Sequence, residues 1–238
     1  MRDAVTRHRL TGAAFAAAML GSAAVDAGEL IVVEARGIAL QAGQVLDDTQ
    51  KLTLTEGQRV TLIAANGNTL KLRGPYDQAP AAAAGSEANL GTALAALHVQ
   101  KQTRTSEVGV TRAGPEAGEL PDPWVLDITR PGNLCIRDGV PIVVWRPEAK
   151  RAANLSINST DKSWKVITQW PSSVDRLTLP QRFPAKNRAT YLVELGAVRA
   201  AVTLHTIPAT VDQDKMRAGW MIEKGCAEQA NALIKTIQ

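Results

Sequence analysis

Aromatic residues are scarce in this 238-residue chain, at 4% of the sequence, and histidine (three) and cysteine (two) are scarcer still. After residue 27 only His98 and His205 remain, and neither has a Cys, Asp or Glu at a metal-ligand spacing such as HxxxH or HxxE. No metal centre is expected from such a pattern. No GxSxG, Walker or GxGxxG motif occurs, so the familiar nucleophile elbow, phosphate loop and dinucleotide-binding turn are excluded. No catalytic residue and no cofactor is expected. The 27 Lys and Arg outnumber the 23 Asp and Glu only slightly, and they are scattered rather than gathered into a block interleaved with aromatics. A nucleic-acid partner would need a basic stripe and is not expected. Past the first 27 residues no apolar run is long enough to span a bilayer, so no stable membrane insertion is expected there.

What is present begins with a leader. Arg2, Arg7 and Arg9 precede an Ala-rich apolar run from Leu10 to Val25, and Val25-Asp26-Ala27 stands before Gly28. This is the three-part layout of a secretory signal peptide over residues 1–27. The alternative, a membrane anchor, needs about 20 strongly apolar residues, more than this run provides. A periplasmic protein is the expectation.

The rest divides by composition. Residues 28–78 carry short alternating strands: Leu52 and Leu54, then Val60, Leu62 and Ala64, then Leu70 and Leu72 each alternate with polar neighbours. Asn66-Gly67 supplies positive φ angles for a tight hairpin turn. Residues 79–122 read as a linker with one short helix, capped by Ser86 and carrying Leu90, Ala93, Leu94 and Leu97 at helical spacing. All five Trp lie from Trp124 onward. Residues 123–208 show about seven short strands with turn residues every ten or so positions, the pattern of an immunoglobulin-like β-sandwich. Residues 209–238 predict one amphipathic helix packed on the sandwich. Met216, Gly219, Trp220, Cys226, Ala230 and Leu233 share a face, and Glu223 is the one charge intruding on it. The fold class is mainly β: two small antiparallel β domains and a C-terminal helix.

Four groups of residues are candidates for a site. Cys135 and Cys226 form an even pair, which an oxidising compartment would join. With Leu134 and Ile136 turned into the sandwich, Cys135 points outward toward the inner stripe of the closing helix. Such a bridge closes a long loop and stabilises by on the order of 4 kcal/mol in the chain-entropy picture; the alternative is two buried thiols. Trp145, Trp164 and Trp170 offer either a sugar-stacking platform or core packing. Asp47-Asp48 and Asp212 with Asp214 suit a turn and a helix start, and a calcium site would need further oxygen ligands. Asn158-Ser159-Thr160 matches a glycosylation acceptor.

The segment Leu30–Pro75 resembles the FecR-like domain of bacterial envelope proteins. The residues that carry the resemblance are Gly43-Gln44-Val45-Leu46, Leu52, Leu54, the run Glu56-Gly57-Gln58-Arg59-Val60-Thr61-Leu62, and Asn66 to Leu72. It implies a periplasmic β domain used in signalling or protein–protein contact, with no catalytic residues to transfer. Members that regulate sigma factors carry a transmembrane helix and a cytoplasmic N-terminal segment, a pattern from which this sequence departs. The expected function is a non-enzymatic binding or adaptor module with an envelope protein as partner. The alternatives are a glycan or small-molecule binding module using the Trp-rich region, and a hydrolase in which His205 would be joined to an acid across the fold.

Overall fold

The structure, a computed structural model, describes residues 28–83, 90–96 and 119–237. The leader, His98 and most of the 79–122 connector lie outside the described residues. The chain is mainly β, with several antiparallel sheets and helices at its end. Strands β1 (Glu29–Arg36), β2 (Val45–Asp47), β4 (Arg59–Ala64) and β5 (Thr69–Arg73) form an antiparallel sheet in the order β2-β1-β4-β5, and β3 (Leu52–Leu54) pairs with β6 (Tyr76–Gln78). The run Leu30-Ile31-Val32-Val33 is buried throughout because both faces of β1 are covered. Leu30 and Val32 join Leu54, Val60, Leu62 and Leu72 in one core. Ile31, Val33 and Ile63 point the other way, into a second core built mostly from the C-terminal helices. A strand with a single buried face would leave that second set in water.

Two local features aim this sheet. A bulge between Val32 and Glu34 leaves Val33 without a ladder partner, and its carbonyl accepts from Lys224 Nζ at 3.1 Å. The Asn66-Gly67 turn differs in detail from the expected one. Only Gly67 has positive φ (84°), and the Ala64–Asn68 closing pair leaves a three-residue loop, while Asn66 Oδ1 accepts from Asn68 N at 2.9 Å. A turn followed by a left-handed glycine satisfies the strand twist as well as a two-residue turn does.

The second region has two sheets sharing one core. Strands β8 (Gly132–Arg137), β10 (Ala153–Ser159), β11 (Lys165–Trp170), β13 (Thr190–Leu195) and β14 (Val198–Ile207) lie in the order β11-β10-β13-β14-β8. Strands β7 (Val125–Asp127), β9 (Val143–Trp145) and β12 (Arg176–Thr178) lie in the order β12-β9-β7. Leu126 and Val144 from the smaller sheet meet Leu155, Trp170, Val193 and Val202 from the larger. Two pairings are parallel, β8 with β14 and β7 with β9, where antiparallel neighbours were expected. Parallel neighbours need a crossover. Here the crossovers are whole strands, since the chain steps from β7 to β8 in the opposite sheet before returning to β9.

The single closing helix expected over 209–238 is two helices, α2 (Asp214–Lys224) and α3 (Ala227–Thr236), with α1 at residues 90–96. Gly225 breaks it. Its φ of 77° lets Gly225 N and Cys226 N reach back to Ile222 O and Met221 O, a helix stop that uses a left-handed residue. The break changes what the helices touch. Met216, Trp220, Met221, Ala230 and Leu233 fill one core with Ile31 and Ile63 of the first sheet, Leu94 of α1, and Cys135 and Ile207 of the larger sheet. The intruding charge, Glu223, pairs with Lys71 of β5 at 3.0 Å. Thr210 Oγ1 donates to Gly43 O at 2.8 Å. The helices therefore pack against both β regions rather than on the second alone.

The β4–β5 turn lies in close backbone contact with α2. A methyl on Gly219 would stand 2.5 Å from the Gly67 carbonyl oxygen, and one on Gly67 would meet the Lys215 carbonyl. Gly219→Ala is therefore expected to lower stability by about 1–3 kcal/mol through overpacking, although alanine is the better helix former by about 1 kcal/mol. Urea unfolding checks it. An unchanged or higher midpoint would mean that the hairpin does not rest on α2.

Candidate functional site

Cys135 sits where strand alternation puts it. Leu134 faces the core between the two sheets, while Cys135 turns to the helix side and joins Cys226 in a disulfide across 91 residues, with Cα atoms 5.9 Å apart. Cys226 lies at the start of α3, just past the Gly225 stop. Beside the bridge, the Gln229 side chain is 1% exposed. Its Oε1 accepts from Cys135 N at 2.6 Å, and its Nε2 donates to Cys135 O at 2.8 Å and Pro123 O at 3.0 Å. An amide group from α3 thus takes the place of a neighbouring strand along the outer edge of β8. The helix stripe in the sequence identified the cysteine but not this glutamine, whose polarity argued against an inward face.

A cleft of about 310 Å³ opens next to the bridge, between β7, β8 and the β8–β9 turn. Leu126, Ile136 and Ile142 are among its apolar walls, and Asp122, Trp124, Arg137 and Arg176 supply its polar and aromatic lining. The Arg137 guanidinium lies 4.3 Å from the Trp124 ring centre, and a second guanidinium, Arg217, lies 5.9 Å from it. Stacking on an indole face stabilises such a cation by about 0.5–2 kcal/mol. Asp122 Oδ1 accepts from Trp124 N at 2.7 Å, and its Oδ2 is 3.9 Å from Arg176. Arg217 is held by Asp214 at 2.7 Å. Among the described residues no carboxylate comes within salt-bridge distance of Arg137.

The other expected site residues lie elsewhere. Trp145 is buried against Leu120, Val125 and Ala232, and Trp170 is fully buried with the Arg146 guanidinium 4.9 Å from its ring. Trp164 is half-buried and packs edge-on against Phe183 with ring centres 5.1 Å apart. These rings offer no shared exposed face for a sugar to stack on. Asp47 Oδ1 accepts from Thr49 N within its own turn, and Asp48 Oδ1 accepts from Gly28 N just before β1. Asn158 and Ser159 of the glycosylation-acceptor triplet lie at the end of β10, and Ser159 Oγ is bonded to the Trp164 main chain. No family model matches the chain, and no curated protein matches it.

Nothing in the residue spacing marks Trp124, Arg137 and Arg176 as a group. Trp124 reads as one more alternating apolar residue, and the two arginines sit among evenly scattered cations. Strand crossing alone brings them together.

His205 is half-buried opposite Cys135 in the β14–β8 ladder, and its Nδ1 has no hydrogen-bond partner among the described residues. Burial lowers its pKa from the ordinary value of 6.5, and the cations Lys224 and Arg188 lower it further. The charges acting on it are cations, not the acid that a hydrolase would place there. The unfolded chain takes up a proton near pH 6.5 that the folded site resists. This contribution to stability is therefore complete above that pH and is lost as pH falls from 6.5 through the lower folded-state value. His205→Gln is expected to flatten that segment of the stability–pH profile, measured by urea unfolding between pH 5 and 8. An equally steep profile in the variant would assign the dependence to other groups.

Proposed function

We propose that this protein is an exported, non-enzymatic binding or adaptor protein of the bacterial envelope that holds a partner protein by strand addition along β11. The FecR-like reading of residues 28–78 and the immunoglobulin-like reading of 123–208 belong to the same proposal. The Cys135–Cys226 disulfide supports a compartment outside the reducing cytoplasm. Among the described residues no helix is long and apolar enough to cross a membrane.

The observation that carries the reading is the asymmetry of the larger sheet. One edge, β8, has its main-chain groups at Cys135 closed by Gln229. The other edge, β11, has no neighbouring strand among the described residues. Ser159 N donates to Trp164 O, which sets the β10–β11 register so that Val166 and Thr168 face β10 and Lys165, Ile167 and Gln169 turn their N–H and C=O groups outward. Ile167, at the centre of this edge, is 65% exposed, and Leu192 stands exposed on the same sheet face. An open edge with an apolar side chain at its middle is the template that strand addition uses.

The test is a pair of proline variants. Proline at 167 removes an outward N–H, whereas proline at 168 removes one that pairs with β10. Ile167→Pro is expected to abolish recovery of a stoichiometric crosslinked envelope protein from cells of the source organism while keeping a near-native thermal midpoint. Thr168→Pro is expected to cost about 1–3 kcal/mol of stability through an unpaired ladder carbonyl. Undiminished recovery with Ile167→Pro would contradict strand addition at β11, and a concentration-dependent self-associated species lost in that variant would replace the partner by a second copy of the chain.

A further inference from the structure

We infer that the cleft between β7 and β8 binds a small organic anion: an aromatic or branched-aliphatic body carrying one carboxylate. The site is independent of the strand-addition reading, since β8 and β11 are opposite edges of the same sheet.

Three observations point to this ligand. The cleft, at about 310 Å³, falls at the lower end of the range for small-molecule sites, about 300–1,000 Å³. Its walls at Leu126, Ile136 and Ile142 are apolar, which selects an apolar body. Its charged lining is two guanidiniums, Arg137 and Arg176, against one carboxylate, Asp122. That carboxylate is already committed to Trp124 N, and at 3.9 Å its contact with Arg176 is too long for a hydrogen bond. The excess is one positive charge, which matches a monoanion.

Arg137 is the residue that fixes the class. It is half-buried and held over the Trp124 ring, with no carboxylate partner among the described residues. A planar guanidinium positioned by stacking presents its N–H fork with little rotamer freedom left to lose, and the fork fits a carboxylate in two-point contact. The same stacking covers a face of Trp124, which disfavours a sugar on that ring.

The experiment titrates the full-length oxidised protein with phenylacetate and, separately, with the uncharged phenylacetamide, following the indole N–H resonances by NMR. Saturable movement of the Trp124 resonance by phenylacetate is expected, with the amide weaker by about tenfold or more, the worth of a charge-assisted hydrogen bond. Arg137→Gln is expected to weaken the acid by a similar factor and to leave the amide unchanged. The Arg176 side chain is 43% exposed, so Arg176→Gln gives the same reading should the Arg137 variant lose its fold; it too is expected to weaken the acid selectively. No saturable movement, equal affinity for acid and amide, or resonances moving only away from the cleft would each overturn the inference.

Discussion

The C-terminal helical pair is buried from two directions at once, and most of the architecture follows from that constraint. Trp220, Met216 and Met221 are essentially inaccessible to water, packed with Ile31 and Ile63 of the first sheet and with Cys135 and Ile207 of the larger one. Full burial of a large apolar side chain stabilises by about 1.5–3 kcal/mol, so a few such residues supply a substantial part of the stability of an ordinary domain. Neither β region can shed this layer without exposing its own apolar face. The Gly67–Gly219 approach sets how closely the hairpin lies on α2, and the disulfide sets where the α2–α3 junction lies on β8.

The same layer decides which surfaces are closed and which stay open. Gln229 can replace a strand at Cys135 only because Gly225 turns the chain and starts α3 beside β8. With β8 blunted at Cys135, the edge of the sheet left without a neighbouring strand among the described residues is β11, at the other end of the strand order. The cleft belongs to the closed side. There β7 and β8 belong to different sheets, and the space between their edges is filled incompletely by Trp124 and Arg137. Arg146, a fully buried cation, shows the contrasting solution. It is satisfied by the carbonyls of Val174 and Pro171 at 3.2 and 2.6 Å, and burial lowers its pKa.

Much of the β architecture was legible in the sequence because period-two alternation is a local signal. Leu52, Leu54, Val60, Leu62 and Leu72 lie in strands, and the flanking of Cys135 by Leu134 and Ile136 placed the thiol on the correct face for its bridge. The helix break was missed because an amphipathic stripe runs through Gly225 without interruption, and only the backbone reveals that this glycine is left-handed. The parallel pairings were missed because pairing direction is set by crossovers between distant strands. The cleft left no pattern at all. Trp124, Arg137 and Arg176 come from three strands or their margins, and nothing in the spacing of one arginine from another reports that they meet.

Amide hydrogen exchange on the oxidised and the reduced protein tests the central claim most directly, that one helical layer couples both β regions. Exchange reads opening free energies element by element. If the layer is shared, reduction of Cys135–Cys226 will lower protection together in α2, α3, β1 and β4, although β1 and β4 lie far from the sulfur atoms in sequence. If protection falls only around Cys135 and Cys226 while Ile31 and Ile63 keep theirs, the first sheet is stable without the helices and the account is contradicted.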